Sequence, residues 1–254
     1  MLFAEPGKYE ACGLFTKGHL NLIIITVIFI IIALKNTANK NKEAVKKIIK
    51  KCTIVMWILE FIIILFKLFN SDPKNVNNYI PLYYCSMLLY AGLFSSFGKG
   101  KIKRTGDVFL ATGGIIGGLV FMIMPTTSLP AYPAFHIVSI HSYLFHGTMV
   151  YLGLLINATH YIDVSANDIK YFASLVGVIC IVAYIVNCIF DSNLMFISED
   201  FPGTPISIVY KLTDPLFTII MSIIQMFLPF YIVYPILQTK KRIIGRRNNK
   251  KIFA

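Results

Sequence analysis

Seven long apolar stretches, at 20–34, 52–69, 79–97, 106–124, 135–157, 169–190 and 212–237, occupy most of this chain of 254 residues. About 20 apolar residues in helical conformation cross a bilayer. A chain built from such stretches has too little polar sequence left to cover a soluble globule. Only 14% of its residues are charged, where a soluble domain carries about 25%. The sequence therefore predicts an all-α polytopic membrane bundle of seven transmembrane helices. It excludes a disordered chain, a secreted disulfide scaffold and a soluble nucleic-acid-binding module.

The 24 Lys and Arg against 12 Asp and Glu give a net charge of +12, and the location of that charge orients the bundle. Nineteen of the basic residues fall in segments that share one face, chiefly 35–51, 99–104 and 240–251. The opposite face has Lys8, Lys17, Lys74 and Lys211, with Lys67 near the end of the second stretch. By the positive-inside rule the N-terminus lies outside and the C-terminus in the cytoplasm, which requires an odd number of spans. The predicted organisation is an external segment at 1–19, a membrane domain at 20–239 and a basic cytoplasmic tail at 240–254. Anionic lipids of the cytoplasmic leaflet are the expected partners of the basic blocks, each cation contributing about 1 kcal/mol; no nucleic-acid partner is expected. Residues 1–19 lack a basic leader and a small-residue cleavage site, so no cleaved signal peptide is expected, and they read as an interfacial helix or loop. The richness in Ile, Lys and Asn suggests an AT-rich bacterial genome and a plasma-membrane address.

Within the fourth stretch, Gly113, Gly114, Gly117 and Gly118 form two overlapping small-xxx-small pairs, which read as a surface for close helix packing. Ionisable groups at membrane depth are costly and usually face the bundle interior or a wet cavity. Glu60 is the first such group, with no basic residue within one helical turn. It suits orienting a histidine, relaying a proton or coordinating a cation, or it is a hydrogen-bonded structural carboxyl. The fifth stretch carries His136, His141 and His146, whose successive offsets of about 140° keep them from forming one metal-binding row.

The five cysteines, Cys12, Cys52, Cys85, Cys180 and Cys188, have neither a CxxC pair nor zinc spacing, and no metal or other cofactor is expected. Cys12 and Cys188 both fall near the outer face, where a disulfide is one option. Cys85 stands apart because it follows Pro81-Leu82-Tyr83-Tyr84, where proline permits an irregular helix entrance. A cysteine nucleophile needs a base, and neutral imidazole serves. Cys85 and His146 are the best pair: counted from the outer ends of their stretches they differ in depth by roughly 7–8 Å at 1.5 Å per residue. The bland alternatives are a small hydrophobic filler for the thiol and a polar packing residue for the histidine.

These residues, taken in order, resemble the YwaF-like integral membrane proteins of bacteria, relatives of the eukaryotic transmembrane protein 164 acyltransferases. The resemblance rests on Glu60, Ile80 to Cys85, the glycine-rich stretch ending at Pro125, His146-Gly147, Asn187, and Asn193 to Phe196. It covers most of 50–237. The bacterial pattern reads Pro-Leu-His-Leu-Cys in the third span, so Tyr83 stands where the family has a histidine. The resemblance implies fatty acyl transfer between phospholipids, with Cys85 as nucleophile, His146 as general base, and a phospholipid or lysophospholipid as the partner. Glu60 would then orient His146, and Tyr83, Tyr84, Asn187 or Asn193 would donate to the oxyanion. The other readings are a transporter or lipid-translocating protein with Glu60 and His146 in a polar pathway, and a noncatalytic membrane scaffold.

Overall fold

The computed structural model describes residues 1–72 and 74–252, with side chains described as far as 239. Among the described residues there are nine α-helices: α1 (Lys17–Thr37), α2 (Lys42–Asn70), α3 (Met87–Phe97), α4 (Gly100–Ala111), α5 (Gly113–Ile123), α6 (Ile137–Ala158), α7 (Ile169–Phe190), α8 (Pro205–Thr213) and α9 (Phe217–Ile252). There is no strand among the described residues. Among the described residues, five segments are long and apolar enough to cross a membrane: α1, α2, the α4–α5 run, Ala166–Phe190 and Phe217–Thr239. α3 is apolar but has only 11 residues. α6 has 22 residues, about 33 Å of helix, with His141 and His146 diluting its apolar character.

Local chemistry sets where these helices begin. The Thr16 hydroxyl accepts from the His19 N–H at 3.3 Å to start α1, and the Asn41 carboxamide accepts from the Ala44 N–H at 2.9 Å to start α2. These side chains satisfy amide donors that a helix end leaves orphaned. The third apolar stretch departs from the expected continuous helix over 79–97. Pro81 has no N–H to donate and disfavours helical backbone at the residue before it, so 79–86 is irregular and α3 starts only at Met87. The fourth stretch divides at Thr112, whose φ of −126° and ψ of −77° separate α4 from α5. Residues 1–16 form a docked loop rather than an interfacial helix. The N–H groups of Cys12 and Gly13 donate to the Tyr132 and Leu129 carbonyls at 3.0 and 2.9 Å. Cys12 and Cys188 remain free thiols. α9 runs on as helix to Ile252, while the side chains of the basic tail from 240 onward lie outside the described residues.

The α4–α5 run is the axis of the bundle: 67% of its most apolar window is buried, against 22% for α1 and 17% for α2. Phe109 of α4 stacks on Phe172 of α7 with centroids 5.6 Å apart, and Phe172 meets Phe230 of α9 at 5.8 Å. All three rings are completely buried. The outer surfaces of α1, α2 and α7 expose Phe29, Phe61 and Ile181, a distribution that suits contact with hydrocarbon. At one end, Arg104 forks onto Asp168 with contacts of 2.9 and 2.5 Å, which fixes the start of α4 beside the start of α7. Asp107 takes Lys103 and Ser95 at 2.5 Å each.

The glycine face of α5 packs as the small-residue pattern requires. A Cβ at Gly118 would fall 2.6 Å from the His146 carbonyl oxygen, and one at Gly113 would fall 2.6 Å from the Tyr84 hydroxyl. A Cβ at Gly114, by contrast, meets nothing closer than 3.6 Å. Gly118→Ala is therefore expected to lower stability by about 1–3 kcal/mol through overpacking against backbone. Gly114→Ala should stay within about 1 kcal/mol of the parent, helped by alanine's helix preference. Thermal unfolding of the two purified variants in the same detergent checks the difference, and equal losses would contradict the packing account.

Candidate functional site

Cys85 lies at the mouth of α3, one residue before its N-cap Ser86. Its sulfur faces the backbone N–H groups of Cys85 and Ser86 and the Ser86 hydroxyl. A helix start presents unpaired N–H donors and the positive end of its dipole. The thiol is half-buried. Glu60 and Lys67 of α2 are both within electrostatic reach of it.

Glu60 meets a histidine of α6, and that histidine is His141. The His141 Nε2 stands 3.4 Å from Glu60 Oε2, near enough for an ion pair but not aligned as a hydrogen bond. Lys67, seven residues along α2 from Glu60, lies on the same helix face because seven steps of 100° return to within about 20°. It lies within electrostatic reach of Glu60 on its own helix and of Cys85 and His141 on neighbouring segments. Neither Lys67 nor His141 was singled out by spacing to its nearest neighbours. The signal for Lys67 was the seven-residue interval to Glu60, two turns away rather than one.

His146 sits on the other side of α6, flat against Phe121 of α5 with ring centroids 3.5 Å apart and planes 7° from parallel. Its Nδ1 is 2.7 Å from the Ser142 carbonyl oxygen. A carbonyl only accepts, so Nδ1 carries the proton and Nε2 keeps its lone pair. That Nε2 is buried and has no hydrogen-bond partner. The three histidines of this region thus point in three directions. His136 reaches the Ala4 carbonyl at 3.0 Å, His141 faces Glu60 and His146 faces α5.

The four groups expected to donate to an oxyanion fall into different situations. The Tyr84 hydroxyl is buried without a partner, while its ring packs on Phe109 and over Gly117. The Tyr83 hydroxyl donates to the Asn77 carbonyl at 3.3 Å. Asn187 is fully engaged in holding the 191–198 loop. Its carboxamide oxygen accepts from the Leu194 N–H at 2.8 Å and the Ser192 hydroxyl at 2.9 Å, and its nitrogen donates to the Leu194 carbonyl at 3.1 Å and the Ser198 hydroxyl at 2.7 Å. Asn193 accepts from the N–H groups of Ser198 and Glu199 at 3.1 and 3.3 Å, while its own N–H reaches Asn77 Oδ1 at 3.1 Å. The loop it shapes includes Asp191, Met195 and Phe196 with left-handed backbone, and Phe196 rests on Tyr83 with centroids 5.1 Å apart.

A buried polar atom left unpaired costs about 1–3 kcal/mol, and the Tyr84 hydroxyl and His146 Nε2 are two of nine such side-chain atoms among the described residues. In a comparison with known families, residues 14–237 match the family described as the TMEM164 family. No curated protein and no solved structure matches the chain.

Asn187 is expected to act through the loop it clamps. Asn187→Leu should destabilise the protein by about 2–4 kcal/mol, because it strands several buried partners at once. It should also open 191–201 to limited proteolysis. Unchanged thermal stability and protease resistance in this variant would contradict the clamp.

Proposed function

Because this chain belongs to the TMEM164 family and carries five apolar helices long enough to span a bilayer, it is an integral membrane protein, and we propose that it transfers fatty acyl groups between phospholipids through a thioester on Cys85. The observation that carries this reading is the state of His146, a neutral imidazole whose Nδ1–H is bound to a carbonyl and whose Nε2 lone pair is buried and unclaimed. That is the form a general base needs. Cys85 supplies the nucleophile at a helix start lined with donors.

In the proposed cycle, His146 Nε2 takes the Cys85 proton and the sulfur attacks an ester carbonyl of a phospholipid. The carbonyl oxygen becomes an oxyanion, to which the Tyr84 hydroxyl, without a hydrogen-bond partner of its own, would donate. Collapse breaks the ester C–O bond, and the imidazolium returns its proton to the departing lysophospholipid alkoxide. An acceptor lysophospholipid hydroxyl then attacks the thioester while His146 takes its proton. Expulsion of the thiolate, reprotonated from His146, regenerates the enzyme. These steps require no cofactor. Glu60 and His141 form the neighbouring polar pair, and Glu60 would tune the site through His141 rather than touch His146.

The accompanying topology is seven spans, with α3 and α6 completing the five apolar ones, residues 1–19 outside and the basic tail in the cytoplasm of a bacterial plasma membrane. What supports it is the face-wise distribution of the 24 basic residues and the Arg104–Asp168 bridge that joins two of the lysine-bearing ends. On a background lacking native cysteines, a cysteine replacing Asn248 should resist an impermeant thiol reagent in intact cells. Labelling there would reverse the orientation.

The chemistry is tested by mass spectrometry of the purified chain incubated with phospholipid. A fatty acyl adduct is expected on Cys85 and should vanish in Cys85→Ala. His146→Ala should slow adduct formation by about a hundredfold or more, the usual contribution of a positioned base, with the folded protein retained. Cys180→Ala should behave as the parent. Turnover in well-folded Cys85→Ala would refute the thioester route. Loss in all three variants together with aggregation would assign these residues to packing instead.

A further inference from the structure

Where α4 and α7 begin, their surfaces part to leave a groove of about 370 Å³. It is lined by Lys101, Ile102 and Thr105 of α4 and by Lys170, Tyr171 and Ser174 of α7. Spaces of about 300–1,000 Å³ hold small ligands. The two walls are fixed to each other beside the groove, by the fork of Arg104 onto Asp168 and, one turn deeper, by the stacking of Phe109 on Phe172. The space is thus built into the helix packing. Its charge is one-sided, with two lysines and no carboxylate on its lining. The acids nearest to them in sequence are taken, Asp107 by Lys103 and Ser95, and Asp168 by Arg104 and Ser165. Among the described residues the ion pairs are Lys103–Asp107, Arg104–Asp168, His141–Glu60 and His160–Asp163, and neither Lys101 nor Lys170 belongs to one. The Lys170 ammonium has an aromatic face for a neighbour, 5.3 Å from the centroid of the Tyr171 ring.

We propose that this groove binds the phosphate of an anionic phospholipid, at a site separate from the acyl-transfer centre. The separation follows from α3, whose 11 residues start beside Cys85 and end at Phe97, just before α4 begins at Gly100. About 16 Å of helix therefore lies between the thiol and the groove. Depth points to a lipid rather than a soluble anion. Lys101, Ile102 and Thr105 occupy the first turns of the apolar segment Gly100–Ile123, and Lys170, Tyr171 and Ser174 those of Ala166–Phe190, which sets the groove at the rim of the membrane. Beneath it the outer face of α7 continues through Val178, Ile181 and Ile185, each more than half exposed and, at 100° per residue, within about 40° of Ser174. An apolar strip below two cations matches acyl chains below a phosphate. Basic pockets between transmembrane helices bind acidic lipid headgroups. Lys101 and Lys170 would meet the phosphate oxygens as point charges, and Thr105 adds a hydroxyl to the same wall. Two cations without a carboxylate beside them favour a headgroup that carries no cation of its own, so phosphatidylglycerol is preferred over phosphatidylcholine.

Native mass spectrometry of the full chain in micelles containing equal amounts of phosphatidylglycerol and phosphatidylcholine reads this preference without any turnover. The parent protein should retain phosphatidylglycerol. Lys101→Gln combined with Lys170→Gln should cut the preference about tenfold, as loss of charge-assisted contacts requires, and replacing both lysines by arginine should keep most of it. Lys40→Gln combined with Lys42→Gln removes the same charge from exposed lysines of another basic block and should leave the preference unchanged. An undiminished preference in the folded groove variant overturns the site. An equal loss in the two double variants also overturns it, because the preference would then belong to the diffuse positive charge. Displacement of the bound lipid by millimolar inorganic phosphate would reassign the groove to a soluble anion and overturn it as a lipid site. Thermal unfolding gives a second readout. Phosphatidylglycerol should raise the Tm of the parent above its value in phosphatidylcholine, and the groove variant should lose that increment while matching the parent in phosphatidylcholine. An equal fall in both lipids would assign the lysines to packing and overturn the proposal.

Discussion

The approach of α5 to α6 at Gly118 determines where the chemically interesting atoms stand. With no side chain at Gly118, the helices close until the glycine lies against the His146 carbonyl. That proximity brings Phe121, three residues on, flat onto the His146 ring. Tyr84 packs over Gly113 and Gly117, which leave α5 on a different side from Gly118 at 100° per residue, so glycines on two sides of one helix order an aromatic residue next to Cys85 and a histidine of α6. In a hydrocarbon surround, where burial of apolar groups between helices gains little over contact with lipid, such close packing is what holds helices together. The site inherits its geometry from that packing.

The polar groups on α6 divide between two neighbours because the helix turns 100° per residue. His141 and His146 are five residues apart, and their side chains leave the helix about 140° apart. One therefore faces α2 and the other α5. The consequence is a division of roles within one helix: the carboxylate, the ammonium and one imidazole share the α2 side, while the imidazole with the unclaimed lone pair faces α5.

The sequence was most informative where a single local property decides the outcome. Residues 169–190 were expected as one apolar helix and form one, since no proline interrupts them and Asp191 ends the run in a left-handed conformation. Hydropathy failed at 79–86 because it measures apolarity and is blind to a missing N–H; Pro81 was in view, but the length of irregular backbone it would leave was not. Glu60 stood out because a carboxyl amid apolar residues is rare. Its partner His141 did not, because the pairing depends on how α2 and α6 are rotated about their axes, which no spacing along one helix reveals. Asn187 and Asn193 were expected to donate to an oxyanion because the family resemblance runs through them and implies acyl transfer. Their bonds go to the backbone and side chains of a turn whose left-handed residues would otherwise leave buried amides unmatched.

The shortness of α3 has a further consequence for how this protein can change over evolutionary time. Eleven residues of helix rise about 16 Å, roughly half of a hydrocarbon core of about 30 Å. The irregular backbone before Met87 leaves N–H and carbonyl groups without helical partners, and such groups are costly wherever water does not reach them. It is the 191–198 turn that covers it, through Asn193 on Asn77 and Phe196 on Tyr83. Surface connections ordinarily drift in length without penalty. This one is bound to the segment it shields, so an insertion in either would have to be matched in the other, and the two should lengthen, shorten or vary together as if they were one element of the core.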